Sequence, residues 1–495
     1  FIKKYYPNDQ ITRNGITQSI VFPEPKAISV RYEIDDLMPG LFDLIEIYLN
    51  PDHIDCIKFA RYKSDNYLIE NNAEVDNRAN VVTGLLLSGL LKRFESSTGA
   101  FKNSIKRLIE QHIKFLKAID QGFVISTELL RDSAGTDDED FDVLLKQDDE
   151  KKSIKIYQSD LLKKDVSDDL GKLNNILSLL EKITPERDPK LAALISELVS
   201  ILESAKSDST SREETIDNRK VLIFSFYADT VKWIRDYLNK YLKENVSLRE
   251  YNGRLGIVVG SATGEESDKS SIAAKFAPKT SGKEGDPDLI DLLISTDILA
   301  EGVNLQQARH IINYDMPWNP MRLVQRHGRI DRIGSQHKRV FMRTIFPANR
   351  LDDLLGLEER IANKIAMAAA SVGIVSPLAS ISGANREFTE TREEIQKLID
   401  GDPSLFERGG TKSGVQSGEE YRQTLRKEIS IRKEEIVNMP WKSGAGLSKG
   451  EEQGIFFCAK AGERTYLRFV NTDEDWNLRF IEDEKNNLTI PFIDS

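Results

Sequence analysis

The chain has 495 residues, more than one hydrophobic core accommodates, so roughly two to four domains are expected. Hydrophobic residues make up 39%, mean hydropathy is −0.41, and no apolar run approaches the ~20 residues of a bilayer span, which describes a soluble globular protein and excludes a helical membrane protein. The net charge of −11 argues at first against a nucleic-acid partner, but the acid is uneven: residues 132–150 hold nine acidic side chains against one lysine, Lys146.

Cys56 and Cys458 lie far apart, and the five histidines form no metal-ligand spacing, so reduced thiols, no structural metal, a cytoplasmic location and no membrane partner are expected. A chain that opens on Phe1 without Met and stops abruptly at Ser495 reads as a piece of something longer.

In chain order, residues 26–34 alternate as a strand and 36–49 follow as an apolar, mostly helical segment. Helices are expected over 85–94 and 100–119. The second carries Phe101, Ile105, Leu108, Ile109, His112 and Leu116 at helical spacing, a core stripe with His112 packed or hydrogen-bonded at its edge. The acidic segment 131–152 reads as a solvated loop. A helical pattern resumes over 170–205, where Asp188 is placed to cap a helix that Pro189 begins. A polar spacer follows (204–220).

Strands are then expected at 220–226, 256–260, 289–295, 309–314 and 339–346, with helices at 228–242, 265–276 and 320–329. Strands alternating with helices imply a parallel sheet with right-handed crossovers. A bracing helix is expected over 351–372, then charged, largely helical sequence over 386–438 with a Gly/Ser-rich break at 409–418. Period-two alternation over 454–492 suggests a small antiparallel module.

The most informative stretch is 293–334, LISTDILAEGVNLQQARHIINYDMPWNPMRLVQRHGRIDRIG. After two apolar strands, Arg326, Arg329 and Arg332 stand three apart, so a helical or near-helical backbone would carry them along one ridge. Guanidinium forks suit the equatorial oxygens of a phosphoryl group in transfer. The rest of a phosphoryl-transfer site is missing: Gly282-Lys283 is followed by Glu284, Gly409-Gly410-Thr411-Lys412 has the wrong order, and no strand-borne Asp-Glu pair followed by His appears.

Four blocks carry a resemblance: Ser295-Thr296-Asp297, Glu301-Gly302-Val303-Asn304-Leu305, Asp315-x-Pro317-Trp318-Asn319-Pro320, and Gln325-Arg326-x-Gly328-Arg329-x-x-Arg332-Ile333-Gly334. Together they resemble motifs V and VI of superfamily 2 helicases in the Swi/Snf-type version, especially bacterial RNA-polymerase-associated Swi/Snf ATPases. The run Lys92–Ser97 (KRFESS) is similar to the helical insertion of the bacterial members. His327 and Asp331 depart from the eukaryotic pattern and favour the bacterial branch, without removing a needed charge.

The resemblance implies an α/β fold: a RecA-like doubly wound parallel sheet, the second helicase lobe, with a helical insertion and a small C-terminal α+β tail. The implied domains are a lead-in from the first lobe (1–50), the helical insertion (51–217, with a mobile acidic part at 131–170), the lobe (218–348), a bracing helix (349–385) and an accessory C-terminal region (386–495). By resemblance, Arg329 and Arg332 are arginine fingers, Gln325 lines the cleft and relays nucleotide state, and Glu301 with Gly302 closes near the ribose. Trp318 couples hydrolysis to movement. Arg322 and Arg326 are expected in structural or interlobe ion pairs.

Open parallel sheets place ligands beyond the carboxyl ends of their strands. There Ser225 and Phe226 (matching motif IV), Ser261, Thr263 and Gly264, and Ser295 and Thr296 are expected to hold nucleic-acid phosphates, reading backbone and not bases.

The implied function is the C-terminal lobe of an ATP-dependent double-stranded DNA translocase, inactive as an ATPase alone, with ATP and Mg2+ held mainly by an N-terminal RecA-like lobe. RNA polymerase or a restriction or defence complex are the candidate further partners. The alternatives are a non-catalytic DNA-binding or regulatory module and a strand-separating RNA or DNA helicase.

Overall fold

Chain order and spatial order part company at the first long strand. A computed structural model describes residues 10–13, 16–19, 23–69, 77–126, 150–260, 269–282, 285–300, 303–316, 318, 320–331, 335–371, 394–402, 445–449, 452–461, 464–471, 481–482 and 488–489. These fall in two compact units, Phe1–Thr411 and Lys412–Ser495. In the first, strand β1 (Glu24–Tyr32) leads to helices α1 (Leu41–Leu49), α2 (Asn77–Ser96), α3 (Thr98–Asp120), α4 (Ser159–Leu180), α5 (Pro189–Asp208) and α6 (Arg212–Asn218).

The chain continues through β2 (Val221–Phe224), α7 (Ala228–Glu244), β3 (Leu255–Val258), α8 (Lys269–Phe276), β4 (Leu292–Ser295) and β5 (His310–Asn313). It closes with α9 (Pro320–His327), β6 (Arg339–Pro347) and α10 (Leu351–Ser371). The six strands form one sheet in the order β1-β6-β5-β2-β4-β3, and every pairing is parallel. The fold is thus the expected doubly wound parallel sheet. The expectation for 26–34 gave a strand but not its place: β1 is the sheet's edge, in register from Glu24↔Arg339 to Tyr32↔Pro347.

Strands this short and apolar are buried on both faces. Val221 and Ile223 of β2 enter one core, with Leu292, Ile294 and Ile312; Leu222 and Phe224 enter the other, with Leu293 and Ile311. The first core runs without a break into the helices inserted between β1 and β2, through Leu86, Leu90, Ile105, Leu108, Leu194 and Leu198. The insertion therefore covers one face of the sheet. α10 packs on α2, where the Ser88 hydroxyl donates to Glu358 Oε1 at 2.9 Å.

Local signals explain most element ends. Asp188 caps α5 as expected, accepting from Lys190 N (2.9 Å) and Leu191 N (3.4 Å) ahead of Pro189. The stripe on α3 is core: His112 is fully buried, its Nδ1 is 2.7 Å from the Leu108 carbonyl oxygen, and burial pushes its pKa down to about 4. The spacer at 204–220 is a correction, because it contains α6. Ser211 accepts from Glu214 N at 3.1 Å, a capping arrangement whose S-x-x-E spelling stood in the sequence. Helix α7 begins behind Tyr227, so Asp229 lies inside its first turn.

In the second unit, Ala445–Lys449, Glu452–Ala461 and Arg464–Asn471 form an antiparallel meander, and Ile481–Glu482 pairs with Leu488–Thr489. No described helix is long and apolar enough to cross a membrane. The acidic segment expected as a loop over 131–152, and as mobile to 170, needs correction: Glu150–Ser153 pairs antiparallel with Phe123–Ser126 and α4 begins at Ser159, while residues 131–149, like the Gly/Ser-rich break at 409–418, lie outside the described residues.

Candidate functional site

The carboxyl ends of β2, β4 and β5 meet along one edge, where the chain crosses from one half of the sheet to the other. Three carboxylates organise it. Asp315, immediately past β5, is fully buried and accepts from the Ser225 hydroxyl (2.8 Å), the Phe226 N–H and the Ser96 hydroxyl (2.8 Å). One side chain thus ties the loop after β2 to the loop after β5 and to the α2–α3 corner. Three donors satisfy this buried carboxylate, which would otherwise be costly to bury.

Glu95 is the second. Its Oε1 accepts from Lys190 Nζ at 2.7 Å and its Oε2 from Met316 N at 3.0 Å, with both side chains buried. Burial pushes its pKa up to about 7, against the pull of Lys190 and the Met316 N–H. Lys190 also donates to the Glu95 carbonyl oxygen (2.6 Å) and lies over the Tyr314 ring at 4.8 Å.

The whole KRFESS run is spent on this join. Lys92 pairs with Glu358 (3.5 Å), and Arg93 pairs with Asp229 (3.3 Å) over the Tyr227 ring (4.6 Å). Phe94 packs on Phe101 at 5.2 Å. The Ser96 and Ser97 hydroxyls meet Thr230 Oγ1 at 2.6 and 2.7 Å.

Asp297, in the turn after β4, is the third carboxylate. It accepts from Arg326 Nε at 2.5 Å and from Arg322 at 3.2 Å. Arg326 is fully buried, donates to Asn313 Oδ1 (3.1 Å), and lies 4.5 Å from the Phe226 ring and 5.0 Å from that of Phe224. Arg322 sits over Phe226 from farther off, at 5.5 Å. Both arginines are in structural ion pairs, as expected. The α-helix closes at His327 and continues as a turn, with Arg329 N donating to the Arg326 carbonyl (3.1 Å) and Leu305 N to the Arg329 carbonyl (3.3 Å). Gln325 is exposed and Arg329 half-buried, whereas Arg326, which shares the expected ridge with Arg329, is fully buried. His327 and Asp331, the two departures from the eukaryotic pattern, stand 3.5 Å apart.

The expected phosphate track needs correction in part. Ser225 and Ser295 are fully buried; the Ser225 hydroxyl donates to Asp315 and the Ser295 hydroxyl to the Thr296 carbonyl (2.7 Å). In this arrangement both hydroxyls shape the edge from within, and a phosphate does not reach them. Phe226 is half-buried, with its ring against the two arginines. Thr296 is half-buried at the end of β4, with its N–H bonded to Val258 O at 3.2 Å and no hydrogen bond from its hydroxyl to a described residue. Trp318 is half-buried and touches both cores. Ser261, Thr263, Gly264, Glu301, Gly302 and Arg332 lie outside the described residues. Sequence reasoning gave no role to Asp315, Glu95, Lys190 or Asp297; the signal available was that Asp297 and Asp315 stand inside the quoted motif blocks and Glu95 inside the KRFESS run.

Part of this chain is similar to known proteins. Residues 195–334 match the model of the helicase conserved C-terminal domain. An uncharacterized ATP-dependent helicase, YqhH, from Bacillus subtilis (strain 168) is 31% identical over 169 residues, 32% of this chain and 26% of that protein. The RNA polymerase-associated protein RapA of Serratia proteamaculans (strain 568) is 32% identical over 120 residues, 24% of this chain and 10% of that protein. The matched part therefore spans about a quarter of the first relative's length and about a tenth of the second's. Among solved structures, the C-terminal part of the Fun30 ATPase domain aligns with a TM-score of 0.31 at 18% identity, over 68% of this chain and 90% of that one. Residues 195–334 thus match the helicase conserved C-terminal domain, and over this part the chain is similar to an ATP-dependent helicase and to a RapA protein.

Proposed function

We propose that this chain supplies the second RecA-like lobe of an ATP-dependent translocase on double-stranded DNA. Arg329 and Arg332 reach across an interlobe cleft to the γ-phosphate and stabilise the charge spread over its equatorial oxygens in transfer. Gln325 lines the same cleft, and Glu301 and Gly302 close near the ribose. The first lobe holds ATP and Mg2+, so this chain alone hydrolyses no ATP. On this lobe the charge facing the triphosphate is carried by arginine.

One observation carries the reading. Arg326, locked to Asp297 at 2.5 Å, joins the helix that carries Gln325 and leads to Arg329 to the turn that carries Thr296. A shift imposed on α9 by nucleotide then moves the turn after β4, because a buried ion pair with a second hydrogen bond to Asn313 does not slide freely. Thr296, with the loops bearing Phe226 and Ser261, Thr263 and Gly264, follows the DNA backbone, and Trp318, between the two cores, transmits the movement. Ser225 and Ser295 set the shape of that edge.

The test is duplex binding by the 495-residue chain across a salt series. Thr296→Ala lowers affinity about threefold to tenfold irrespective of sequence and flattens the salt slope. An altered sequence preference would contradict a backbone contact.

A further inference from the structure

Helix α3 carries charge that the edge described above does not use. Its buried side, with Phe101, Ile105, Leu108 and Phe115, holds it against the core. Lys102, Lys106, Lys114 and Lys117 stand on the other side, Lys102 half-buried and the rest exposed, and none of the four has an ion pair or hydrogen bond to a described residue. Arg107 flanks them, 3.6 Å from Asp229, and Glu110 is the one acid on that face before the helix end at Asp120.

At about 100° per residue, Lys102, Lys106 and Lys117 fall within an arc of about 60°, with Lys114 about 60° beyond. The stripe is about 22 Å long, or about six phosphate steps along one strand of a duplex.

Helix stability accounts for Lys114, four residues after Glu110, and for Lys117 in the last turn, but not for Lys102 beside Lys106, like charges at i and i+4 near the N-terminus, where a cation opposes the macrodipole. They also stand out in a chain of net charge −11. Their position is informative. Helix α3 starts at the carboxyl edge of the sheet: Ser97 caps it, the Ser96 hydroxyl donates to Asp315, and Asp315 holds the Ser225–Phe226 loop. Close packing fixes the start, since a Cβ at Gly99 would lie 2.8 Å from the Trp233 ring. The stripe therefore begins about one helical turn from the loops of the proposed track and leads away from them.

We infer that the lysine face of α3 is a second contact surface for the sugar–phosphate backbone of a DNA duplex, lengthening the track from the sheet edge onto the helical insertion. The inference rests on the nucleic-acid reading above and adds a surface to it.

Anisotropy of a labelled duplex of about 30 base pairs, titrated with the full chain over a salt series, tests it. Lys106→Glu with Lys117→Glu weakens binding about tenfold or more and lowers the salt slope by about 2, and the milder Lys106→Ala/Lys117→Ala pair, which preserves helix propensity, changes it in the same direction. The control pair Lys182→Glu with Lys243→Glu, exposed lysines at the ends of α4 and α7, stays within about twofold of wild type. Equal losses in the α3 and control pairs, or an unchanged slope for the α3 pair, overturn the inference while leaving the track at the sheet edge in place. Absence of duplex binding by the wild-type chain overturns both readings together.

Discussion

Two arginines three positions apart have opposite surroundings. Arg326 is fully buried, with its charge met by Asp297 and Asn313, whereas Arg329 follows it in a turn and is half-buried. The sequence spacing put both on one ridge; what it lacked was the position of Asp297, whose approach depends on how β4 and β5 lie in the sheet. Removing one member of a buried pair leaves a charge unmatched, and Asp297 keeps partial access to water, so Arg326→Met is expected to cost about 2–3 kcal/mol of stability. Arg329→Ala is expected to cost less than about 1 kcal/mol. Chemical denaturation of the two variants checks this, and equal costs would contradict the division of roles.

A second residue-scale expectation concerns Glu95. Its folded pKa is raised to about 7, so between the ordinary carboxylate range and pH 7 the folded state holds a proton that the unfolded chain has released. The stability this group contributes is complete below that range and is lost as pH rises through 7. Glu95→Gln removes the component: the wild type loses stability between pH 5 and pH 7.5 relative to the variant, as unfolding midpoints at the two values would show. A loss relative to the variant in the opposite direction contradicts the assignment.

At the scale of elements, legibility followed range. β2, β4, β5 and β6 were readable because strands buried on both faces are continuous apolar runs. The start of α5 was readable because Asp188-Pro189 is a local signal. The edge position of β1 was not, because its partner is more than three hundred residues away and no local pattern encodes that pairing. The KRFESS run was recognised by resemblance only; its physical role, joining the insertion to the ends of three strands, depends on contacts with Lys190, Thr230, Asp315 and Glu358.

Because one core passes from the insertion helices into the sheet, the two should unfold together. Leu198→Ala in α5 removes a fully buried side chain at a cost of about 2–5 kcal/mol. Amide exchange in β2 is expected to accelerate as much as in α5; loss of protection confined to the insertion would mean that the two open as separate units.

At the scale of the whole molecule, the proposed function makes the chain one side of a site. An edge braced by Asp315, Glu95 and Asp297 holds Thr296 at the end of β4 and places Gln325 and Arg329 on or beyond α9, while the sequence contains no phosphate-cradling loop to go with them. Only catalysis tests the pairing of these two halves. Joined to a first lobe that carries the nucleotide-binding motif, the wild type should show duplex-stimulated ATP turnover, and Arg329→Ala should reduce that turnover by about 10³-fold with nucleotide binding retained. Turnover undiminished by the substitution would contradict the account.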